Sequence, residues 1–195
     1  GQNYKGRRHI LTWDTLMLTT SIQGVMVEVY GFGILILGVT GIGKSECALE
    51  LINRGHRLIA GEVVGIRRRR DNVLIGFAKE PIRYYLEVKG LGIIDVEKLF
   101  GATAVRNSAK IDLVIRLEEW DKSKDYELLG FDQKHTTILE VKVPELVIPI
   151  RPGRNIAIII EVAAMNERLR REGYSAISEL DKELIKITRQ KRKRK

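Results

Sequence analysis

The sequence predicts an α/β fold built on a phosphate-binding core, and three adjoining observations predict it. Ile34–Leu37 is an unbroken apolar run, as a strand buried on both faces requires. Directly after it, Gly38-Val39-Thr40-Gly41-Ile42-Gly43-Lys44-Ser45 completes the spacing G-x-x-x-x-G-K-[ST]. Beyond that, Ala48, Leu49, Leu51 and Ile52 form an apolar stripe at helical spacing, ended by Gly55. The residue types suit one chemistry. Glycines let successive backbone N–H groups converge on an anion, and the helix N-terminus adds its dipole. Lys44 brings a mobile positive charge and the Ser45 hydroxyl can ligate Mg²⁺, so ATP with Mg²⁺ is the expected ligand of Gly38–Ser45.

Composition bounds the rest. The 195 residues, 44% of them hydrophobic, suffice for a substantial core. No run approaches the roughly 18 apolar residues of a membrane span, and the basic, polar N-terminus has no apolar signal core. A soluble cytoplasmic protein is expected. The one cysteine, Cys47, can form no internal disulfide and is expected to pack in a reducing compartment. Two runs, Arg67–Arg70 and Lys191–Lys195, account for the whole net charge of +9, so the basicity is local and not a face for nucleic acid. The arginines precede Asp71-Asn72, a turn signal, which predicts an exposed hairpin end.

Residues 1–21 read as a lead-in, 22–188 as the folded domain and 189–195 as a basic tail. Within the domain, Ile22–Tyr30 predicts a strand with Val25, Val27 and Val29 on one face, and Gly31-Phe32-Gly33 turns it into Ile34–Leu37. After the first helix, His56–Val64 predicts one further strand. Its end should lie near the phosphates, where an acid is needed, and Glu62 is the only candidate there. Val73–Phe77 and Tyr84–Val88 predict strands, and Ile93–Gly101 a short helix or a loop and helix. Ile111–Leu117, Ile138–Val143 and Leu146–Ile150 predict strands, the last two parted by Pro144-Glu145. Arg151–Arg154 is a turn. Ile156–Met165 fits strand or helix by periodicity, and its continuation to Gly173 favours a helix. A final amphipathic helix spans about Ser178–Thr188.

Four stretches together, GxxxxGKSE, GHRLIA, LEVKGLGIIDVEKLFG and VIPIRPGRNIAIIIEVAAMN, resemble the catalytic domain of bacterial HPr kinase/phosphorylase. The similarity runs from about Ile22 to Tyr174. It implies a P-loop core related to phosphoenolpyruvate carboxykinases, a mixed sheet with C-terminal helices, and usually a hexamer. In that family a regulatory domain usually precedes this one. The implied activity is ATP-dependent phosphorylation of a serine of the phosphocarrier HPr, and the reverse phosphorolysis. By the same resemblance, Lys44 counters the charge of the transferred group, Ser45 and Glu87 hold Mg²⁺, and Leu86–Asp95 lie beside the reacting phosphate. Pro149–Arg154, with Arg154 as a catalytic candidate, matches the segment tied to dephosphorylation, and the C-terminal helices help dock HPr.

The departures from the family pattern are specific. A catalytic histidine is replaced by Gln23, an Asp-Asp pair by Gly61-Glu62, and a catalytic arginine by Leu128; Val39-Thr40 stand where Asp-Ser is usual. Gln23 donates a hydrogen bond but takes up no proton at neutral pH, and Glu62 keeps a carboxylate without its acidic neighbour. Loss of an arginine contact can cost on the order of 10³ in rate. Phosphorolysis should suffer most and nucleotide binding least. A weakened serine kinase with Glu62 as base is therefore expected. The alternatives are a nucleotide-binding relative without transfer, and a nucleic-acid-associated ATPase using the two basic runs. Among other singled-out residues, His56 is expected to form local hydrogen bonds, Trp13 and Trp120 to pack, His9 and His135 to lie in loops, and Asp95 to be catalytic or to cap a helix.

Overall fold

In the computed structural model, residues 18–126 and 134–193 are described, and they form three layers. The central layer is a six-stranded sheet of β2 (Val25–Val29), β3 (Phe32–Leu37), β4 (Arg57–Ala60), β10 (Leu113–Glu119), β11 (Lys134–Ile138) and β12 (Val141–Ile150). Its order is β11-β12-β10-β3-β2-β4, with β3, β10 and β12 parallel and the other pairings antiparallel. The second layer is an antiparallel sheet, β1 (Thr19–Gln23), β5 (Val63–Arg68), β6 (Leu74–Ala78) and β9 (Ser108–Lys110), in the order β1-β5-β6-β9. The third holds α1 (Lys44–Asn53), α3 (Ile156–Arg171) and a hairpin of β7 (Tyr85–Val88) and β8 (Gly92–Asp95); short α2 (Val96–Phe100) follows the hairpin, and α4 (Ala176–Lys193) ends the described chain.

Two apolar cores hold the layers together. On one face of the central sheet, Val25, Val27, Val29, Ile34 and Ile36 pack with Leu51 of α1, Leu86 of β7 and Ile160 of α3. On the other face Met26, Leu35 and Ile59 pack with Val64, Ile66 and Leu74 of the second sheet. The strand before the glycine-rich loop is thus buried on both sides, as its unbroken apolar run requires. Val25, Val27 and Val29 share one face as expected, and β2 turns into β3 through Tyr30-Gly31, both at positive φ, the geometry of a tight two-residue hairpin.

Several boundaries differ from the sequence expectation. The strand expected over Ile22–Tyr30 is two strands in different sheets, broken at Gly24. His56–Val64 is likewise divided at Gly61-Glu62, β4 joining the central sheet and β5 the second. At Gly61-Glu62 hydrophobic periodicity does not register the crossing between sheets, because both halves are mostly buried. β4 is separated from β3 by β2 in the central sheet, and the turn at its far end still reaches the glycine-rich loop, through Glu62. Conversely, the strand expected over Ile138–Val143 is broken at the Leu139-Glu140 turn, with Ile138 closing β11, and from Val141 β12 runs unbroken through Pro144 to Ile150. The ladder to β10 begins only at Glu145, so Pro144 lies beyond it on that side. His135 is in strand β11, not a loop. Ile93–Asp95 belong to β8, with the helix starting at Val96. Ser108–Lys110 form a strand that the sequence did not announce, and α4 extends through Lys193 into the basic run. The arginine run does end in a hairpin, where Arg69 pairs with Asp71 and Arg68 with Glu140.

Candidate functional site

The glycine-rich loop leaves the end of β3 and delivers the chain to the first turn of α1. Gly41 and Gly43 take φ of 83° and 113°, values that a side chain would strain, and Ile42 N–H donates to Val39 O at 3.1 Å to close the turn. The Lys44 ammonium donates to the carbonyls of Gly38 at 2.8 Å and Val39 at 3.1 Å. It is thereby folded back against the loop that it follows. The expected loop residues Gly38, Val39, Thr40, Gly41, Ile42, Gly43, Lys44 and Ser45 are contiguous around this turn.

Facing the loop is the turn between β4 and β5. Val63 N–H donates to Gly61 O at 2.6 Å around Glu62, whose φ is 58°. This tight three-residue turn holds a non-glycine residue in a left-handed conformation, a strain that neighbouring contacts must maintain. The Gly24 N–H supplies one, donating to Glu62 O at 3.1 Å. The Glu62 side chain turns to the loop: its Oε1 accepts from Ser45 Oγ at 3.2 Å and from the Glu87 N–H at 3.2 Å. Glu62, Ser45 and Glu87 therefore meet, although they are far apart in sequence. With Gln23, Lys44 and Lys89 they line one cleft of about 300 Å³.

Gly61 explains how β7 comes so near. A Cβ at Gly61 would lie 2.1 Å from Tyr85 O, so the backbone of β7 fills the space of a side chain. That approach brings the Glu87 N–H to Glu62. The sequence carried the signal only as a glycine in place of an acid.

Other candidates fall elsewhere. Arg154 is absent from the cleft lining; its Nη1 donates to Pro149 O at 2.9 Å, and its guanidinium lies 5.7 Å from the Trp120 ring centre. Arg151 stacks more closely on the same ring, at 4.2 Å. Trp120 is thus a platform for both arginines of the turn, beyond the packing role expected of it. Parallel β10 and β12 end at Glu119 and Ile150, which are register partners, so this turn and Trp120 share an edge of the sheet. Asp95 caps α2 by accepting from Lys98 N at 3.1 Å. Leu128, Trp13 and His9 lie outside the described residues.

The donors in the cleft are a hydroxyl and carboxylates, the hard oxygen ligands that suit Mg²⁺. Among the described residues, no three His, Cys, Asp or Glu side chains cluster as a self-sufficient metal centre, so a cation here would need oxygens from its ligand. A second groove, lined by Ile22, Gln23, Leu37, Val39, Leu117 and Glu119, runs along the other side of the loop and shares Gln23 with the cleft. Among the described residues no helix is long and apolar enough to cross a membrane.

Comparison with known proteins supplies a family. The family model of the HPr serine kinase C-terminal domain matches residues 14–184. An HPr kinase/phosphorylase of Caldanaerobacter subterraneus subsp. tengcongensis is 55% identical over 166 residues, covering 85% of this chain and 54% of the relative. That of Alkaliphilus metalliredigens is 51% identical over 178 residues, covering 91% and 58%. The chain thus spans about half the length of the curated relatives it matches. The solved structure of the Hpr(Ser) kinase/phosphatase from Coxiella burnetii superposes with a TM-score of 0.73 at 35% identity, covering 83% of this chain and 98% of that one.

Proposed function

Because the chain belongs to the HPr serine kinase C-terminal domain family, we propose that it binds ATP through Gly38–Ser45 and transfers the terminal phosphoryl group to a serine hydroxyl of HPr. The observation that carries this is the meeting of Ser45, Glu62 and the Glu87 N–H at 3.2 Å contacts beside the glycine-rich loop. A phosphate-binding turn and a carboxylate face each other across one cleft, which is the minimum that phosphoryl transfer to a hydroxyl requires.

The backbone N–H groups of residues 38–45 surround the phosphate oxygens, and Lys44 exchanges the carbonyls of Gly38 and Val39 for the phosphate tail. Ser45 and Glu87, with Glu62 beside them, hold Mg²⁺, which when bound spreads the charge of the phosphates. Glu62 accepts the serine proton as the serine oxygen forms its bond to phosphorus and ADP leaves. Gln23, at the junction of the cleft and the second groove, donates a hydrogen bond to the incoming group. Phosphorolysis is the weaker direction, since Gln23 delivers no proton. Arg154, held with Arg151 on Trp120, serves that direction from the neighbouring sheet edge. A core of the phosphoenolpyruvate carboxykinase type, a cytoplasmic location and a hexamer complete the proposal. A basic surface for nucleic acid has little support, because Arg68 and Arg69 of the upstream run are paired within their own hairpin region.

Incubation with HPr and γ-labelled ATP tests the transfer, with nucleotide binding measured in parallel. Labelled HPr is expected, Lys44→Ala should abolish nucleotide binding, and Glu62→Gln should lower transfer by about 10²–10⁴ while leaving binding in place. A second reading, nucleotide binding without transfer, is favoured by Gln23 in the cleft wall and by the space at Gly61 that β7 fills. Nucleotide bound but no labelled HPr at high protein concentration would establish it instead.

A further inference from the structure

Lys89 opens the turn of the β7–β8 hairpin and overhangs the glycine-rich loop: a Cβ on Gly41 would lie 3.2 Å from Lys89 Nζ. Two features aim it there. Alternation along β7 buries Leu86 and Val88 and leaves Glu87 exposed, and Lys89 follows on the side of Glu87. The Lys89 N–H also donates to Glu46 Oε1 at 3.4 Å, tying the hairpin to the first turn of α1. Lys89 and Lys44 line the same cleft, with the carboxylates of Glu46, Glu62 and Glu87 around them. What sets Lys89 apart is its place: its ammonium lies over Gly41 of the loop, where an anion held by the loop N–H groups would meet it. Glu87, two residues before it, donates its N–H to Glu62, so the hairpin stands at the end of the cleft where the acid lies.

We propose that Lys89 is a second phosphate-binding cation, which closes on the terminal phosphates of the nucleotide from the hairpin side while Lys44 holds them from the loop. The proposal rests on the ATP reading of residues 38–45. It adds that the loop alone is an incomplete phosphate site, completed by a charge from a separate element. A charge-assisted contact to a phosphate oxygen strengthens with the number of terminal charges, so Lys89 should separate ATP from shorter nucleotides.

Calorimetric titration with ATP, ADP and AMP in the presence of Mg²⁺ tests this on the wild-type chain and on Lys89→Ala, Lys89→Gln, Lys89→Arg and Lys44→Ala. Lys89→Ala and Lys89→Gln should weaken ATP by about tenfold or more, ADP less and AMP hardly at all. Lys89→Arg should recover most of the ATP affinity. Thermal melts should be unchanged, since Lys89 is exposed. ATP affinity within about twofold of wild type in both neutral variants, with binding lost in Lys44→Ala, overturns the proposal. Failure of the underlying reading looks different: the wild-type chain then takes up no ATP, and both fall together.

Discussion

Glu161 is only 6% exposed, yet it faces Tyr30 Oη and His56 Nε2, each at 2.9 Å, and the Arg54 guanidinium at 2.5 Å. Burial pushes its carboxyl up, but the contacts from His56, Tyr30 and Arg54 outweigh this and hold it below the ordinary value. A depressed carboxylate stabilises the fold fully above its unfolded value of 4.5, and that contribution is lost as pH falls through the folded one. Glu161→Gln should therefore destabilise by about 2 kcal/mol at neutral pH, with the gap to wild type closing in melts taken toward pH 3. The sequence announced His56 as a hydrogen-bonding residue but not its partner, because Glu161 is embedded in the apolar stretch IAIIIEVAAM. Cys47 was legible as a packing residue. Burial raises its thiol to about 12, so a thiol reagent at pH 8 should modify it only on unfolding, as a labelling time course with and without denaturant would reveal.

The β7 strand owes its position to what Gly61 lacks. Gly61→Ala should force Tyr85 O away, destabilise by about 1–3 kcal/mol in denaturant melts, and loosen the Glu87 N–H contact to Glu62. Restoring an aspartate at 61 should cost more, because a charge would then compete for the same space. Elements were most legible where periodicity was clear, as in α1, or where length decided an ambiguous apolar run, as in α3. They were least legible where a strand passes between sheets, at Gly24 and Gly61, or runs through a proline, at Pro144. The glycine-rich loop could be read outright, since its spacing is local. The approach of Glu87 and Lys89 was implied by the family resemblance alone and not by any local pattern, since it depends on contacts between residues more than twenty positions apart.

None of the residues of α4 is buried, and its apolar stripe of Ile177, Leu180, Leu184 and Ile187 is open in the single chain, as is that of Ile158, Val162, Met165 and Leu169 on α3. Removing residues 176–195 should accordingly shift the melting temperature by less than about 3 °C in calorimetry. The layers themselves close without that helix. The chain passes between the two sheets at Gly24, at Gly61-Glu62 and again at Ile111-Asp112, and the first two crossings are hydrogen-bonded to each other through the Gly24 N–H and the Glu62 carbonyl. Glu62 thus belongs at once to the junction of the layers and to the cleft. A shift of one sheet against the other would therefore move the Glu62 carboxylate relative to the Ser45 hydroxyl that it accepts from, so the spacing of the two layers sets the width of the cleft at that end.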